Sequence, residues 1–255
     1  MDSTVRIVTD SSCDLPPELL QKYEIPIVPL TVHFGTDVFY DGELSKAEFW
    51  EKAAGAHLPK TSQPSVGAFE QVFERLVNQG HKVLCVTLTG KHSGTFNAAR
   101  LAGERFGEAI TVFDSHSLSL GLGFQVLVAA EAAHEGQSVS DIIPLLEDLR
   151  QQARLLIVLD TLEYLQHGGR AAAFMAVADR MTRALNIKLI VNLVEGRLRL
   201  LGPARSFEGA LRRVLTLVEE MQRLDYVAVA HTCRADTAET MARRLAQRTQ
   251  VPQES

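Results

Sequence analysis

The stretch KVLCVTLTGKHSGTFNAAR, residues 82–100, joins an apolar run to a polar loop and then to a helical pattern. Residues 82–89 have the continuous apolar character of a strand that is buried on both faces. The loop that follows holds lysine, histidine, serine and threonine around two glycines, and residues 96–106 have helical spacing. A buried strand, a polar loop and a helix form the repeating unit of a parallel α/β sheet.

The same alternation extends over most of the first 160 residues. Apolar strand-like runs separated by amphipathic helical patterns predict a mostly parallel, doubly wound sheet that is covered on both faces. The further strands are predicted at residues 5–9, 109–114 and 154–160, and the further helices at residues 64–80, 121–136 and 139–153. Residues 25–40 predict interrupted strands with a hairpin turn at 35–37, and Ser45 with Glu48 predicts a capping box.

The pattern changes after residue 160. Residues 161–185 predict two helices around a Gly-Gly break, and Glu195–Gly196 between two strand-like runs is a hairpin signal. A helix (207–223), a strand (225–232) and a basic helix (234–248) follow. We therefore predict two α/β domains, residues 1–160 and residues 161–255, of which the second is smaller and has mixed or antiparallel pairing.

Composition narrows the class of partner. The chain has 255 residues and a formal net charge of -5, which disfavours nucleic acid or an anionic membrane as the main partner. No apolar run reaches 18 residues and no signal-peptide pattern opens the sequence, so we expect a cytoplasmic protein with at most transient membrane contact. The 3 cysteines lie far apart, as is typical of free thiols in a reducing compartment.

Ligands of doubly wound sheets bind beyond the carboxyl ends of the strands, where loops lead into helices. Three polar loops follow predicted strands there, at residues 9–14, 88–95 and 114–121, and a fourth polar stretch, residues 60–65, precedes a helix. All are rich in hydroxyls. Free N–H groups and the dipole at a helix start favour a bound anion, although serine and threonine at these places are also ordinary helix caps.

Sharper interpretations of the loop at Ser93 fit less well. A phosphate loop requires G-x-x-x-x-G-K-S/T, but Lys91 precedes the second glycine, and a hydrolase elbow requires G-x-S-x-G where this loop has G-K-H-S-G. A triad of Ser93 with His116 and Asp114 through space stays open as an alternative. The 8 histidines are scattered without metal-ligand spacing, so no metal is expected.

Five motifs occur in a fixed order: TDSSCDLP, KTSQPS, LTGKHSGTFNAA, VFDSHSLSLGLG and LDTLEYLQHGGR. Together they resemble the DegV family of fatty-acid-binding proteins, from residue 7 to about 170 and more weakly to His231. The resemblance implies two α/β domains with a long-chain fatty acid such as palmitate buried between them. It also implies a non-catalytic protein without a cofactor, which presents the carboxylate to an ATP-dependent fatty acid kinase for phosphorylation to an acyl phosphate.

The resemblance also implies site residues. The family's carboxylate-binding positions and their neighbouring donors fall on Thr61, Ser62, Ser93, Gly94 and Thr95. Arg170 is the implied cation near the head group, Asp10 and Ser11 line the mouth, and Arg205 is a possible contact for the kinase. Family members usually continue to a further strand and a histidine-containing loop where this chain ends at VPQES, so one head-group contact is expected to be missing. A carrier of another amphipathic acid is a second alternative.

Overall fold

The computed structural model describes residues 4–55, 57–161, 188–221 and 224–249. They form two compact units. The described part of unit 1 comprises residues 4–55, 57–155 and Val194–Arg197, and that of unit 2 comprises residues 156–161, 188–193, 198–221 and 224–249. The domain boundary predicted after residue 160 stays a prediction, and the two helices predicted around the Gly-Gly break lie largely outside the described residues.

Strands and helices alternate along the chain. In chain order the strands are β1 (Val5–Asp10), β2 (Ile27–Val28), β3 (Thr31–Phe34), β4 (Asp37–Tyr40), β5 (Lys60–Ser62), β6 (Lys82–Thr87), β7 (Ile110–Asp114), β8 (Leu155–Leu159), β9 (Lys188–Val194) and β10 (Arg197–Ala204). The described helices are α1 (Pro17–Lys22), α2 (Lys46–Ala53), α3 (Val66–Asn78), α4 (Thr95–Glu104), α5 (Leu120–His134), α6 (Val139–Gln152), α7 (Phe207–Glu219) and α8 (Ala235–Thr249).

A four-stranded parallel sheet organises unit 1. Its strand order is β2-β1-β6-β7, and each neighbouring pair runs parallel. Strand β6 lies between β1 and β7, with Val8 opposite Cys85 and Leu84 opposite Thr111. Every residue of β6 after Lys82 is buried, as its continuous apolar sequence predicts. The predicted α/β class with a parallel sheet is therefore confirmed.

Helices cover both faces of this sheet. Leu84 and Val86 pack with Leu122 and Val126 of α5 on one face, and α6 adds residues to the same core. On the other face, α3 and α4 pack against the sheet in a core that contains Phe69, Phe73, Cys85 and Ala99. Helix α5 packs closely at Gly123 against the backbone of Cys13. Any Cβ at residue 123 would overlap the carbonyl oxygen of Cys13, so this contact requires glycine. The two cores hold the strand ends, and hence the loops beyond them, in fixed positions.

A second, three-stranded sheet in unit 1 has the order β4-β3-β5. Strands β3 and β4 form the predicted antiparallel hairpin, and Ser45 with Glu48 caps α2 in the predicted capping box. Strand β5 was not predicted, because KTS is short and polar. It pairs antiparallel with β3, with Thr31 opposite Ser62, so tertiary pairing alone makes it a strand.

Unit 2 contains most of the sheet β10-β9-β8 and the helices α7 and α8. The predicted hairpin turn is present, with φ of 48° at Glu195 and 73° at Gly196. The strand predicted at residues 225–232 is wrong. Val227 and Val229 pack against the α7–α8 core, but their backbone pairs with no strand of the described chain. Within the described ranges, no helix combines the length and the apolar character that a bilayer span requires.

We expect Leu84→Ala to destabilise unit 1 by about 2–5 kcal/mol, since the substitution leaves a cavity in the core beneath α5. The control Leu101→Ala makes the same chemical change at a residue that is 47% exposed, and should alter the free energy of unfolding by about 0.5 kcal/mol or less. Urea unfolding followed by the fluorescence of Trp50, the one tryptophan in the sequence, reports on unit 1. Equal effects of the two substitutions would contradict this packing.

Candidate functional site

The loop between β6 and α4, residues 88–94, lies at the carboxyl edge of the parallel sheet. Because β6 is flanked by β1 and β7, the last residues of those strands lie on either side of this loop. Both last residues are aspartates, Asp10 and Asp114. The sheet therefore presents two carboxylates to the backbone of the loop.

Asp10 is fully buried and joins two segments. Its Oδ2 accepts a hydrogen bond from the backbone N–H of Leu88 at 2.8 Å, and its Oδ1 accepts one from the N–H of Ser12 at 3.0 Å. The hydroxyl of Ser12 donates to the same Oδ1. Burial raises the pKa of the Asp10 carboxyl above its ordinary value, and the hydrogen bonds from Ser12 and Leu88 oppose that rise. The Asp10 side chain is thus buried and hydrogen-bonded to the loop, and its place at the mouth of the site stays a prediction.

Asp114 repeats this pattern on the other side of β6. Its Oδ2 accepts a hydrogen bond from the N–H of Gly90 at 3.1 Å, and its Oδ1 accepts one from the N–H of His116 at 2.9 Å. Arg150 donates to the backbone oxygen of Asp114 at 3.1 Å. Two neighbouring strand ends therefore hold the amides of Leu88 and Gly90 in the same way.

The rest of the loop is also bonded. The N–H of Thr89 donates to the carbonyl oxygen of Ser117 at 2.8 Å, and the hydroxyl oxygen of Thr89 accepts from the N–H of Lys91 at 3.3 Å. Lys91 Nζ donates to the carbonyl oxygen of Glu195, also a residue of unit 1, at 2.7 Å. A loop held at this many points keeps one backbone path into α4.

The N-cap residue of helix α4 provides no capping side chain, although Ser93 Oγ accepts the N–H of Thr95, the first helical residue, at 3.3 Å. The N-cap is Gly94, and the first turn of the helix carries no acidic residue. The structure gives no acceptor, within the residues it describes, to the backbone N–H groups of Phe96 and Asn97. Ser93 Oγ and Thr95 Oγ1 lie 2.8 Å apart beside these amides. Hydroxyls and open N–H groups at a helix start favour an anion and need no metal.

The TSQPS stretch reaches the same place through Gln63. A Cβ at residue 94 would overlap the side-chain amide of Gln63, so glycine leaves room for that amide against the loop. Thr61 and Ser62 lie just before it on the exposed strand β5. Gln63 was not predicted as a site residue. The sequence signals that could have indicated it are the polar side chain of Gln63 in the KTSQPS motif and the glycine at residue 94 in the LTGKHSGTFNAA motif.

The remaining predicted site residues are Ser11, Arg205 and Arg170, and their roles at the site stay predictions. Ser11 Oγ donates to Asp41 Oδ2 at 2.7 Å and accepts from the N–H of Leu30 at 3.1 Å, so its hydroxyl is used between segments of unit 1. Arg205 is exposed in unit 2, directly after β10. Arg170 lies outside the described residues and stays a prediction.

The alternative catalytic triad finds no support in the geometry. In the described part of unit 1, Ser93 Oγ bonds within its own loop, to Thr95, and no hydrogen bond joins it to His116. His116 Nε2 lies 3.7 Å from Asp114 Oδ2, and Asp114 instead accepts from two backbone amides. Burial lowers the pKa of His116, as do the charges of Arg150 and Lys91, while Asp114 opposes the shift. The contact between nucleophile and base that the triad requires is not formed.

No metal site was predicted. Across the described ranges, histidine, cysteine, aspartate and glutamate side chains nowhere gather in a group of three or more that could hold a metal ion. The three cysteines are free, with Cys13 and Cys85 buried and Cys233 exposed. The polar groups beside the start of α4 are therefore the best-defined candidate site in unit 1.

Comparison with known proteins agrees with the predicted resemblance. A DegV domain-containing protein of Deinococcus radiodurans is 38% identical over 222 residues, which cover 86% of this chain and 77% of that protein. The structure of a fatty-acid-binding DegV family protein of Thermus thermophilus superposes with a TM-score of 0.85 at 32% identity, covering 98% of this chain and 90% of the other. A stearic acid-binding protein of Eubacterium ventriosum gives a TM-score of 0.88 at 28% identity, covering 98% and 89%.

The family model that matches is described as "Uncharacterised protein, DegV family", and the match spans residues 4–254. It extends over both units and includes all five motifs. This chain therefore belongs to the DegV family.

Proposed function

We propose that this protein binds a long-chain fatty acid, with the carboxylate at the start of α4 and the acyl chain buried. The observation that carries the proposal is the start of α4, where the N–H groups of Phe96 and Asn97 have no acceptor in the described chain and the hydroxyls of Ser93 and Thr95 lie close by in sequence. A carboxylate is a planar anion with two oxygens and accepts several hydrogen bonds at once. The fatty-acid-binding relatives of Thermus and Eubacterium support the choice of this anion.

We assign the carboxylate contacts to Ser93 and Thr95, with donors from the backbone at Gly94 and from Thr61 and Ser62. Gln63, whose amide lies against Gly94, is an added candidate at the same edge. Because donors stabilise the ionised form of an acid, the bound head group stays a carboxylate at neutral pH. Arg170 is proposed as the cation that balances its charge.

Most of the affinity would come from the tail rather than from the head. Each buried methylene contributes about 0.8 kcal/mol, so a palmitoyl chain supplies a nominal sum near 12 kcal/mol before ordering costs are subtracted. Hydrogen bonds to a charged group contribute about 1.5–3 kcal/mol each. The head-group site would therefore select for an acid and fix its direction, while chain length would set affinity.

We further propose that the protein is a carrier and not a catalyst, and that it presents the carboxylate to an ATP-dependent fatty acid kinase. Support comes from the site itself, where the hydroxyl of Ser93 bonds to Thr95 and not to a histidine base. The exposed Arg205, after β10 in unit 2, is the proposed contact for the kinase. Phosphorylation would then occur on the bound carboxylate with chemistry supplied by the partner.

We expect Ser93→Ala and Thr61→Ala each to weaken palmitate binding about tenfold or more, because each removes a donor to a charged acceptor. Isothermal titration calorimetry of delipidated protein measures this effect. Ser140→Ala, at an exposed serine of α6, is the matched control and should bind as the wild type does. Unchanged affinity in both site variants would count against the proposal, and tighter binding of another amphipathic acid would redirect it.

Arg205→Glu should reduce acyl phosphate formation by an added fatty acid kinase and ATP at least tenfold, while palmitate affinity stays unchanged. The reason is that charge reversal on an exposed contact repels the partner without reaching the ligand. Arg75→Glu makes the same change at an exposed position of α3 and serves as the control. Normal acyl phosphate formation by Arg205→Glu would remove this residue from the proposed contact.

A further inference from the structure

Asp10 and Asp114 form a matched pair around the loop of the candidate site. Each ends a strand that neighbours β6, and each accepts the N–H of the residue two positions later with its Oδ1. Each also reaches the loop that follows β6 and accepts one of its amides with Oδ2, Asp10 that of Leu88 and Asp114 that of Gly90. We call these two residues the aspartate clamp.

The position of the clamp ties it to the site. Leu88 and Gly90 lie five and three residues before Ser93. Thr89, in the same segment, accepts the N–H of Lys91 with its hydroxyl oxygen and donates its own N–H to the carbonyl oxygen of Ser117. A shift at either amide therefore moves the backbone that delivers Ser93 and the first amides of α4. Binding geometry of this kind depends on the groups that orient the contacting residues, and errors near 1 Å are costly.

Core packing alone does not account for a carboxylate at residue 10. The side chain is 0% exposed, and its surroundings raise the pKa of the acid, so burial disfavours the charged form. A buried ionisable group that is disfavoured by its surroundings marks a place where position or charge is needed. For Asp10, the position that is needed is that of the Leu88 amide, which donates a hydrogen bond to its Oδ2.

We propose that Asp10 and Asp114 are positioning residues for fatty acid binding, which act through the backbone of the 88–94 loop and do not touch the ligand. This inference rests on the proposed function. It assigns to Asp114 a role in orienting the loop, in place of the triad role that the sequence left open.

The test is a double-mutant cycle with palmitate as the probe. Asp10→Asn and Asp114→Asn are each measured alone and combined with Ser93→Ala. We expect each asparagine variant alone to bind palmitate about tenfold more weakly. In the Ser93→Ala background the same changes should cost about threefold or less, because residues that act through one contact are not additive.

Asp141→Asn is the matched control, since Asp141 also accepts a backbone N–H, from Ser138, but in α6 and away from the loop. Hydrogen exchange adds a direct readout: the amide of Leu88 should exchange faster in Asp10→Asn, that of Gly90 in Asp114→Asn, and neither in Asp141→Asn. If Asp10→Asn does not fold because Asp10 is buried, the same measurements are made on Asp114→Asn, since Asp114 is only partly buried.

The outcomes separate the two proposals. If wild type and Asp141→Asn bind no palmitate, the proposed function fails and this inference fails with it. If both bind but the asparagine variants bind equally well, the clamp is overturned while the proposed function stands. Losses that add fully to that of Ser93→Ala also overturn the clamp, because they indicate general destabilisation rather than an effect through Ser93.

Discussion

Two carboxylates, at the ends of the strands on either side of β6, hold the amides of the loop that leads into α4. This arrangement is possible only in a parallel sheet, where neighbouring strands end at the same edge and loops there lie side by side. The two helical layers fix β1, β6 and β7, and the strand ends in turn fix the loop. The packed core thereby fixes the backbone that leads to Ser93 and Thr95, through the hydrogen bonds that the loop amides donate to the two carboxylates.

A site built in this way suits a simple anion. Helix α4 starts at a glycine N-cap, and within the described chain the amides of Phe96 and Asn97 keep their capacity to donate. Ser93 and Thr95 share one hydrogen bond, so one of their two hydroxyl hydrogens also stays available. A capping aspartate at residue 94 would occupy those donors and place a negative charge there. Glycine at that position also leaves room for the amide of Gln63. In the proposal, the polar groups therefore orient the carboxylate of the acid, and burial of the apolar acyl chain provides most of the affinity.

Much of this was predictable from sequence because it depends on local patterns. Continuous apolar runs identified the strands of the parallel sheet, and Ser45 with Glu48 identified a capping box. Strand β5 was missed since KTS carries no apolar alternation, and its pairing with β3 depends on residues far away in the chain. The opposite error occurred at residues 225–232, where Val227 and Val229 alternate like a strand but pack against helices. The hydrogen bonds from the loop to Asp10 and Asp114 could not be predicted without the strand order, which places both residues beside the end of β6. Both aspartates nevertheless occur in the same sequence context, followed by serine after an apolar run.

We propose that the ordered edge of unit 1 binds the carboxylate of a long-chain fatty acid. Native mass spectrometry of the protein purified from cells, with chromatographic identification of any released molecule, tests it most directly. We expect one bound acyl chain per protein, with the mass of a long-chain fatty acid. A bound molecule without a carboxylate, or protein that stays ligand-free after incubation with palmitate, would contradict it.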